Sequence, residues 1–388
     1  MDRLIAMYSK VKKWLFTFAS TLLLLLLIYT LWPLELSPSA ALSVSSDGYH
    51  ILSTHINGDV VLWDVKQRQG RLIAKNSNSY SACFIKNGRN FMWQDAQARI
   101  HVQNTDRSGV FSFRLEYAVK SMTMTTDLTH SYATDTRWTL NSIQSEKQKI
   151  LKKGRALFQN FDKPLNITLS NDDKYLLTAG AELTPEIVTA LSNKKTIVNK
   201  TEVTPFEGII LWNTGEGELL HKFSGLVGRV VAAISPDSKY IVGGDEHGNA
   251  LVWDVASKKA LFKLQVPVFD MISQKATLDA PIGFFNKSED NIAVIFAIKF
   301  IDLEGDYLCF FKHIPYAILY NVNDNKPKKY LYLGKNPLFA LNDYAYNQTI
   351  DTAPAAHILV LGQAKTGGVS VFHYDNKQQN IKKMWDAN

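Results

Sequence analysis

The side chains that could perform catalysis or hold a metal do not stand at the spacings that those tasks require. The chain of 388 residues has two cysteines. Neither Cys83 nor Cys309 belongs to a Cys-x-x-Cys or Cys/His pattern, so we expect two free thiols and no metal site. The sequence also lacks a Gly-x-Ser-x-Gly turn, a His-Glu-x-x-His pair and a phosphate-binding glycine loop. We therefore predict no catalytic residue, no metal ligand and no cofactor.

Two acidic segments have the composition of metal sites but lack the spacing. Asp245, Glu246 and His247 fall in a turn between two apolar runs, where such side chains are usually solvated. Residues 302–306 read DLEGD and resemble part of a calcium loop, but no bidentate glutamate follows at the right distance. We interpret both segments as ordinary turns.

Short apolar runs separated by turn residues recur along the chain and predict antiparallel β-sheets. Residues 40–65 contain an apolar run, a turn at 46–48, a second run, a turn at 57–59 and the ending VVLWDV. Residues 230–255 repeat this order and end in LVWDV. A third copy occupies residues 165–180 and resumes at residues 208–213.

These units resemble the repeats of the WD-repeat family, closely in the first and fifth units and partly in the fourth. The resemblance implies an all-β fold, a β-propeller of about seven four-stranded blades, with six or eight blades left open. Inner strands are expected near residues 42, 82, 120, 165, 230, 282 and 338, and the first four are about 40 residues apart. Third strands are expected to end near residues 63, 102, 143, 212, 253, 320 and 372.

Tryptophan and aspartate close the clearest units and are given structural roles. Each blade is a small sheet that must pack against its neighbours, so Trp63, Trp212 and Trp253 are expected in the core between blades. Asp64 and Asp254 are expected to serve the turn that leaves the third strand. The family's hydrogen-bonded tetrad is not matched, because Asn57 and His247 stand where it has an aspartate. This departure is typical of a divergent, bacterial propeller.

Two insertions carry the candidate partner-binding residues. Residues 181–207 and about 297–314 are expected to interrupt blades four and six between their second and third strands. Loops of this length are usually functional or disordered, and exposed aromatic side chains on a loop are typical of a contact surface. The alternative is that the aromatics of the second insertion belong to the core. The candidates are Glu182, Glu186, Lys194, Lys195, Phe206, Phe310, Phe311 and His313.

The N-terminal segment predicts a membrane anchor. Residues 14–32 carry no charge and are about long enough to cross a hydrocarbon core of about 30 Å. Four basic residues precede this segment, so the positive-inside rule leaves the N-terminus cytoplasmic and exports the rest. A late-cleaved signal peptide is the alternative. The expected organisation is a cytoplasmic tail 1–13, an anchor 14–33, a linker 34–39 and a propeller 40–388.

The charge distribution does not indicate a nucleic acid partner. The net charge is +7, but residues 1–33 hold much of it and no long basic run follows them. The resemblance implies a protein-binding scaffold and no enzymatic activity. We expect a membrane-anchored propeller in an envelope or secretion-type assembly, periplasmic in a bacterium or lumenal in a eukaryote. The alternatives are a lactonase or quinone-cofactor enzyme, which needs charged residues on the central channel, and a glycan-binding module.

Overall fold

The computed structural model describes most of the chain from residue 36 onward. Apart from the helical residues 14, 20 and 21, the 3-10 residue 349 and a three-residue 3-10 helix at Pro354–Ala356, its regular secondary structure is β. The described residues are 14, 20–21, 36–77, 81–106, 108–115, 118–135, 140–146, 149–150, 162–182, 208–214, 217–226, 228, 230–245, 247–265, 295–311, 316–333, 349–363 and 366–387.

The described residues form seven four-stranded sheets, each a meander in which consecutive strands pair antiparallel. We number these sheets along the chain as blades one to seven. The inner strands are β1 (Ser39–Val44), β5 (Ala82–Phe84), β9 (Val119–Met124), β13 (Asp162–Leu169), β17 (Val230–Ile234), β21 (Ile295–Phe300) and β25 (Ile350–Ala353). The second strands are β2 (His50–His55), β6 (Asn90–Gln94), β10 (His130–Asp135), β14 (Tyr175–Glu182), β18 (Tyr240–Asp245), β22 (Asp306–Phe311) and β26 (Ile358–Gly362).

The third and outer strands complete each sheet. The third strands are β3 (Val60–Asp64), β7 (Arg99–Asn104), β11 (Leu140–Glu146), β15 (Ile209–Asn213), β19 (Ala250–Asp254), β23 (Tyr316–Asn321) and β27 (Val369–Asp375). The outer strands are β4 (Gln69–Ala74), β8 (Gly109–Arg114), β12 (Lys149–Ile150), β16 (Leu219–Phe223), β20 (Ala260–Lys263), β24 (Lys329–Tyr332) and β28 (Asn380–Ala387). The expected positions of the third strands are confirmed.

The inner strands form a closed ring. Each inner strand contacts that of the next blade, and β1 contacts β25 and β26 of blade seven. Two hydrogen bonds cross this last junction: Val44 N donates to Asp351 Oδ2 over 2.9 Å, and Ser39 Oγ donates to Gly367 O over 3.2 Å. Blade seven takes all its strands from residues 350–387, so the ring closes without exchanging a strand between the two chain ends.

The core is divided among the interfaces between blades. Each pair of adjacent blades has its own cluster of buried apolar side chains, and the cluster between blades seven and one includes Leu36 from the linker. Successive residues of a strand point to opposite faces, so a central strand of each blade contributes to two clusters. The apolar runs in the sequence are nearly continuous because both faces of these sheets are covered.

The turn between the first and second strands has the same chemistry in four blades. In blade one, Ser45 Oγ donates to Asp47 Oδ1 over 2.6 Å and accepts the backbone N–H of His50 over 2.9 Å. Short polar side chains that bond their own backbone favour such turns. The equivalent pairs in the other three blades are Thr125 and Asp127, Ser170 and Asp172, and Ser235 and Asp237.

The sequence analysis predicted two of the inner strands too close to the N-terminus. The inner strand of blade six begins at Ile295, and that of blade seven begins at Ile350, rather than near residues 282 and 338. The expected insertion at residues 297–314 is also wrong. Residues 295–311 are two paired strands joined by the turn 301–305, where Gly305 has a φ of 93°. The turn residues DLEGD at 302–306 were therefore the signal that locates blade six, because this turn marks the end of its inner strand.

The expected anchor lies almost wholly outside the described residues, which include only Trp14, Ser20 and Thr21 of that segment. In the part of the chain that the structure describes, no helix has the length and apolarity needed to cross a bilayer.

Candidate functional site

Most of the candidate partner-binding residues belong to segments other than those that the structure describes. Glu186, Lys194, Lys195, Phe206 and His313 lie outside the described residues. Glu182 is the last residue of β14, and only its backbone is described. The first insertion does fall between the second and third strands of blade four, because β14 ends at residue 182 and β15 begins at residue 209.

Two of the aromatic candidates belong to the core, which corrects the prediction that they bind a partner. Phe310 and Phe311 lie in β22 and are 0% and 1% exposed. Phe310 packs in the cluster between blades six and seven, whereas Phe311 packs in the cluster between blades five and six. Adjacent residues of a strand point to opposite faces, and a neighbouring blade covers each face of β22. The core alternative was therefore correct for this pair.

The three repeat tryptophans have the expected structural role. Trp63, Trp212 and Trp253 are 2–3% exposed, and each packs in a cluster between adjacent blades. The indole N–H of Trp212 donates to Thr178 Oγ1 over 3.1 Å. A buried indole thus has its single donor satisfied within its own blade, as buried polar groups require.

The two repeat aspartates hold the turn that follows the third strand, as expected. Asp64 Oδ1 accepts the backbone N–H of Gln67 over 2.7 Å, and Asp254 Oδ1 accepts that of Ser257 over 2.7 Å. Asp245 serves a different turn, where its Oδ1 accepts the backbone N–H groups of His247 and Asn249. The acidic segment around residue 245 is therefore used to shape a turn.

A buried polar chain in blade one partly replaces the tetrad that the sequence lacks. The indole N–H of Trp63 donates to Ser53 Oγ over 2.9 Å, and Ser53 Oγ is 2.9 Å from His55 Nε2. His55 Nδ1 is 2.7 Å from the carbonyl oxygen of Ser37, which can only accept, so Nδ1 carries the proton. The sequence did not reveal this series of hydrogen bonds. Its histidine, His55, comes from the second strand of the blade and not from the segment that precedes the first strand.

The stability of the ring should fall in mild acid because of His55. The side chain is fully buried, and this burial lowers its pKa below 6.5. The unfolded chain then binds a proton more readily than the folded protein, so the contribution is complete above about pH 6.5 and is lost as the pH falls below that value. Urea unfolding of the wild type between pH 7 and pH 5 should show this loss. His55→Gln should lose less stability over the same range.

The exposed His373 provides the control for this titration. His373→Gln should keep the pH dependence of the wild type. If His55→Gln and the wild type have the same dependence, the buried histidine does not contribute to acid sensitivity.

The ring of inner strands encloses a central channel of about 470 Å³. Small side chains on four different blades leave this space open, and they include Ala41, Ala82, Ser121 and Ala232. A volume of this size lies within the range of small-molecule sites in proteins.

Among the described residues, three charged side chains line the channel: Lys86, Lys299 and Asp351. Lys299 Nζ lies 3.4 Å from Asp351 Oδ1 and joins blade six to blade seven. Lys86 follows β5 and extends across the mouth of the channel to blade four, where its Nζ donates to Leu169 O and, over 2.9 Å, to Asn171 Oδ1. The sequence missed Lys299 and Asp351 because it misplaced the inner strands of blades six and seven.

Comparisons with known proteins identify the fold and no more. No protein-family model and no curated protein matches the chain. Among solved structures, the β-propeller domain of Cps50 (Swd1) from Myceliophteria thermophila is similar, with a TM-score of 0.59 over 86% of this chain and 96% of that one. This chain is a β-propeller. At 10% sequence identity, the similarity to this WD-repeat-type neighbour shows the fold alone.

Hydrogen bonds between blades surround the Lys86 end of the propeller channel. Asn87 Nδ2 donates to Thr126 O over 3.3 Å, and the backbone N–H of Thr126 donates to Asp173 Oδ2 over 2.7 Å. Asn171 Nδ2 donates to Pro236 O over 3.0 Å. Blades two, three, four and five are thus linked in sequence around the mouth, which holds the position of Lys86.

The two cysteines of the propeller are free thiols, as expected. Cys83 lines the channel and Cys309 is fully buried in blade six. Burial raises the pKa of both thiols, and Asp351 adds to the effect at Cys83. Because the thiolate is the reactive form, neither side chain has the environment of a cysteine nucleophile.

Proposed function

We propose that this propeller is a platform for protein partners and that it acts by binding and not by catalysis. The observation that carries the proposal is the way the ring uses its sheets. Neighbouring blades cover the broad faces of the described sheets, and this leaves turns, outer edges and the channel mouths for recognition. Rigid scaffolds that present loops are a common basis of recognition. The similar fold of a β-propeller domain supports this reading at the level of architecture.

The loop between β14 and β15 is the proposed partner-binding segment. Turns between second and third strands are short in other blades, such as residues 56–59 and 95–98, whereas residues 183–208 separate β14 from β15. The sequence of this loop combines charged residues with Phe206, and Glu186, Lys194 and Lys195 remain the candidate contacts. His313 follows β22 in the sequence and also remains a candidate contact, outside the described residues.

The membrane anchor and the export of the propeller are also part of the proposal. They are supported by the uncharged segment 14–32 and by the basic residues before it. The linker adds a geometric argument. The backbone N–H of Asn57 donates to Ser37 Oγ over 3.0 Å, and that of Ile56 donates to Pro38 O over 3.0 Å. The linker thus joins the ring on the face where turns between second and third strands open, so the anchor and the proposed loop would share that face in an envelope assembly.

Copurification from native membranes tests the platform. The full-length protein is extracted with mild detergent after a high-salt wash, which an anchored protein should resist, and bound proteins are identified by mass spectrometry. We expect a defined partner in stoichiometric amounts, and its loss when Lys194→Glu, Lys195→Glu and Phe206→Ala are combined. The matched control combines Lys258→Glu and Lys259→Glu in the turn before β20, on the opposite face, and should retain the partner. Recovery of the protein alone from wild type, variant and control would contradict the proposal.

A further inference from the structure

We propose that the central channel binds a small, singly charged anion with a carboxylate or phosphate group, and that the ammonium group of Lys86 is its counter-ion. This is a function in addition to the binding of protein partners. It rests on the space in the channel, the unpaired charge of Lys86 and the charge balance of the lining.

Lys86 makes no direct ion pair with a carboxylate of the described residues. Its Nζ bonds to a backbone carbonyl oxygen, Leu169 O, and to an amide oxygen, Asn171 Oδ1, and both are neutral. An ammonium group has three N–H donors, so one remains for a ligand. Among the described residues, no carboxylate lies within ion-pair distance of Lys86. Lys86 is half-buried at the mouth of the channel, and partly buried charges are normally paired, so an ammonium group without a carboxylate partner beside an open cavity favours an anionic ligand.

The remaining charges of the lining balance each other. Lys299 and Asp351 form an ion pair, and Asp351 Oδ2 also accepts the backbone N–H of Val44. Among the described side chains of the lining, Lys86 is therefore the one positive charge in excess. A singly charged anion would neutralise it, whereas a more highly charged one would be repelled by Asp351. Thr123 and Thr168 add hydroxyl groups to the wall, and these can bond the oxygens of such a ligand.

The protonation of Lys86 gives the proposal a distinctive pH dependence. Burial lowers the pKa of this amine to about 8, against the smaller opposing effect of Asp173, Asp351 and Asp172. An anion is attracted only by the protonated amine. The affinity for acetate, whose charge is constant over this range, should therefore be high at pH 7 and should fall as the pH rises through about 8. Inorganic phosphate gains a second negative charge over the same range, so the pH dependence is measured with acetate. Lysines exposed at the surface remain protonated over this range and would produce no such change.

Titration calorimetry on the full-length protein in detergent tests the site with acetate and with inorganic phosphate as separate probes. In chloride-free buffer at pH 7, we expect saturable binding of at least one probe with a stoichiometry of one. Lys86→Gln keeps hydrogen-bonding capacity but removes the charge, and it should weaken binding by about tenfold or more. The matched control is Lys174→Gln, an exposed lysine beside the same mouth that pairs with Asp172, and it should bind as the wild type does.

Two results would overturn the proposal. One is the absence of saturable binding by the wild type for both probes, which would leave Lys86 as a structural link between blades two and four. The other is equal affinity in the wild type and Lys86→Gln, which would place the anion elsewhere. If Lys86→Gln does not fold, Lys86→Arg replaces it. That variant should keep the binding at pH 7 and should lose the decrease near pH 8, because arginine stays protonated.

Discussion

Replacing Asp306 with alanine should lower the free energy of unfolding by about 3 kcal/mol, at the lower end of the range for breaking a buried ion pair. Asp306 is 5% exposed, and its carboxylate accepts hydrogen bonds from three side chains. Its Oδ1 accepts Asn321 Nδ2 and Lys328 Nζ, each over 2.7 Å, and its Oδ2 accepts Tyr374 Oη over 2.8 Å. Tyr374 belongs to blade seven, so this carboxylate joins blades six and seven.

The size of the effect follows from the hydrogen-bond donors that would lose their acceptor in Asp306→Ala. Tyr374 is fully buried, and burial raises the pKa of its phenol, so the hydroxyl remains a donor without an acceptor. Lys328 would lose its carboxylate, but its side chain is 28% exposed, and solvent would partly compensate. We therefore take the lower end of the range.

Urea unfolding of the wild type, Asp306→Ala and a control measures this loss. Asp324→Ala is the control, because Asp324 is exposed and accepts only the backbone N–H of Lys326 among the described contacts. Asp324→Ala should change stability by less than about 1 kcal/mol. A loss of similar size in the two variants would show that Asp306 does not join the blades.

Replacing Trp253 with alanine should lower the free energy of unfolding by about 3 to 5 kcal/mol, the usual cost of removing a buried tryptophan. Trp253 is 2% exposed and packs in the cluster between blades four and five, with its ring 5.4 Å from that of Phe223. The fit is tight, since a Cβ atom at Gly243 would lie only 2.9 Å from Trp253 Cζ3. The surrounding strands cannot easily close the cavity, because they are paired on both sides.

Thermal and urea unfolding check this prediction. Trp253→Phe should lose less than Trp253→Ala, because it keeps part of the ring in the same space. Leu261→Ala is the control within blade five, since Leu261 is 46% exposed, and it should be nearly neutral. If Trp253→Ala unfolds at the same urea concentration as Leu261→Ala, the packing of blades four and five does not depend on the repeat tryptophan.

Local chemistry explains what could be read from the sequence. A serine or threonine followed by aspartate, as at Ser45 and Asp47, shapes its turn through bonds that span five residues, so the signal is contained in the sequence itself. Five of the third strands were placed correctly for a related reason, because an aromatic residue near their end precedes a turn, at positions 63, 212, 253, 320 and 372. The inner strands of blades six and seven were misplaced because long segments precede them and their turns differ from the repeat.

The sequence by itself determined a β-sheet fold, most strand positions and the structural roles of Trp63, Trp212 and Trp253, because apolar alternation and turn residues act over short distances. Only the tertiary structure decided which side chains share a surface. It buried Phe310 and Phe311 between blades, and it brought Lys86 to a carbonyl group 83 residues away on blade four. Closing a ring aligns residues that are remote in sequence around one axis, and no local pattern encodes which polar groups will meet there.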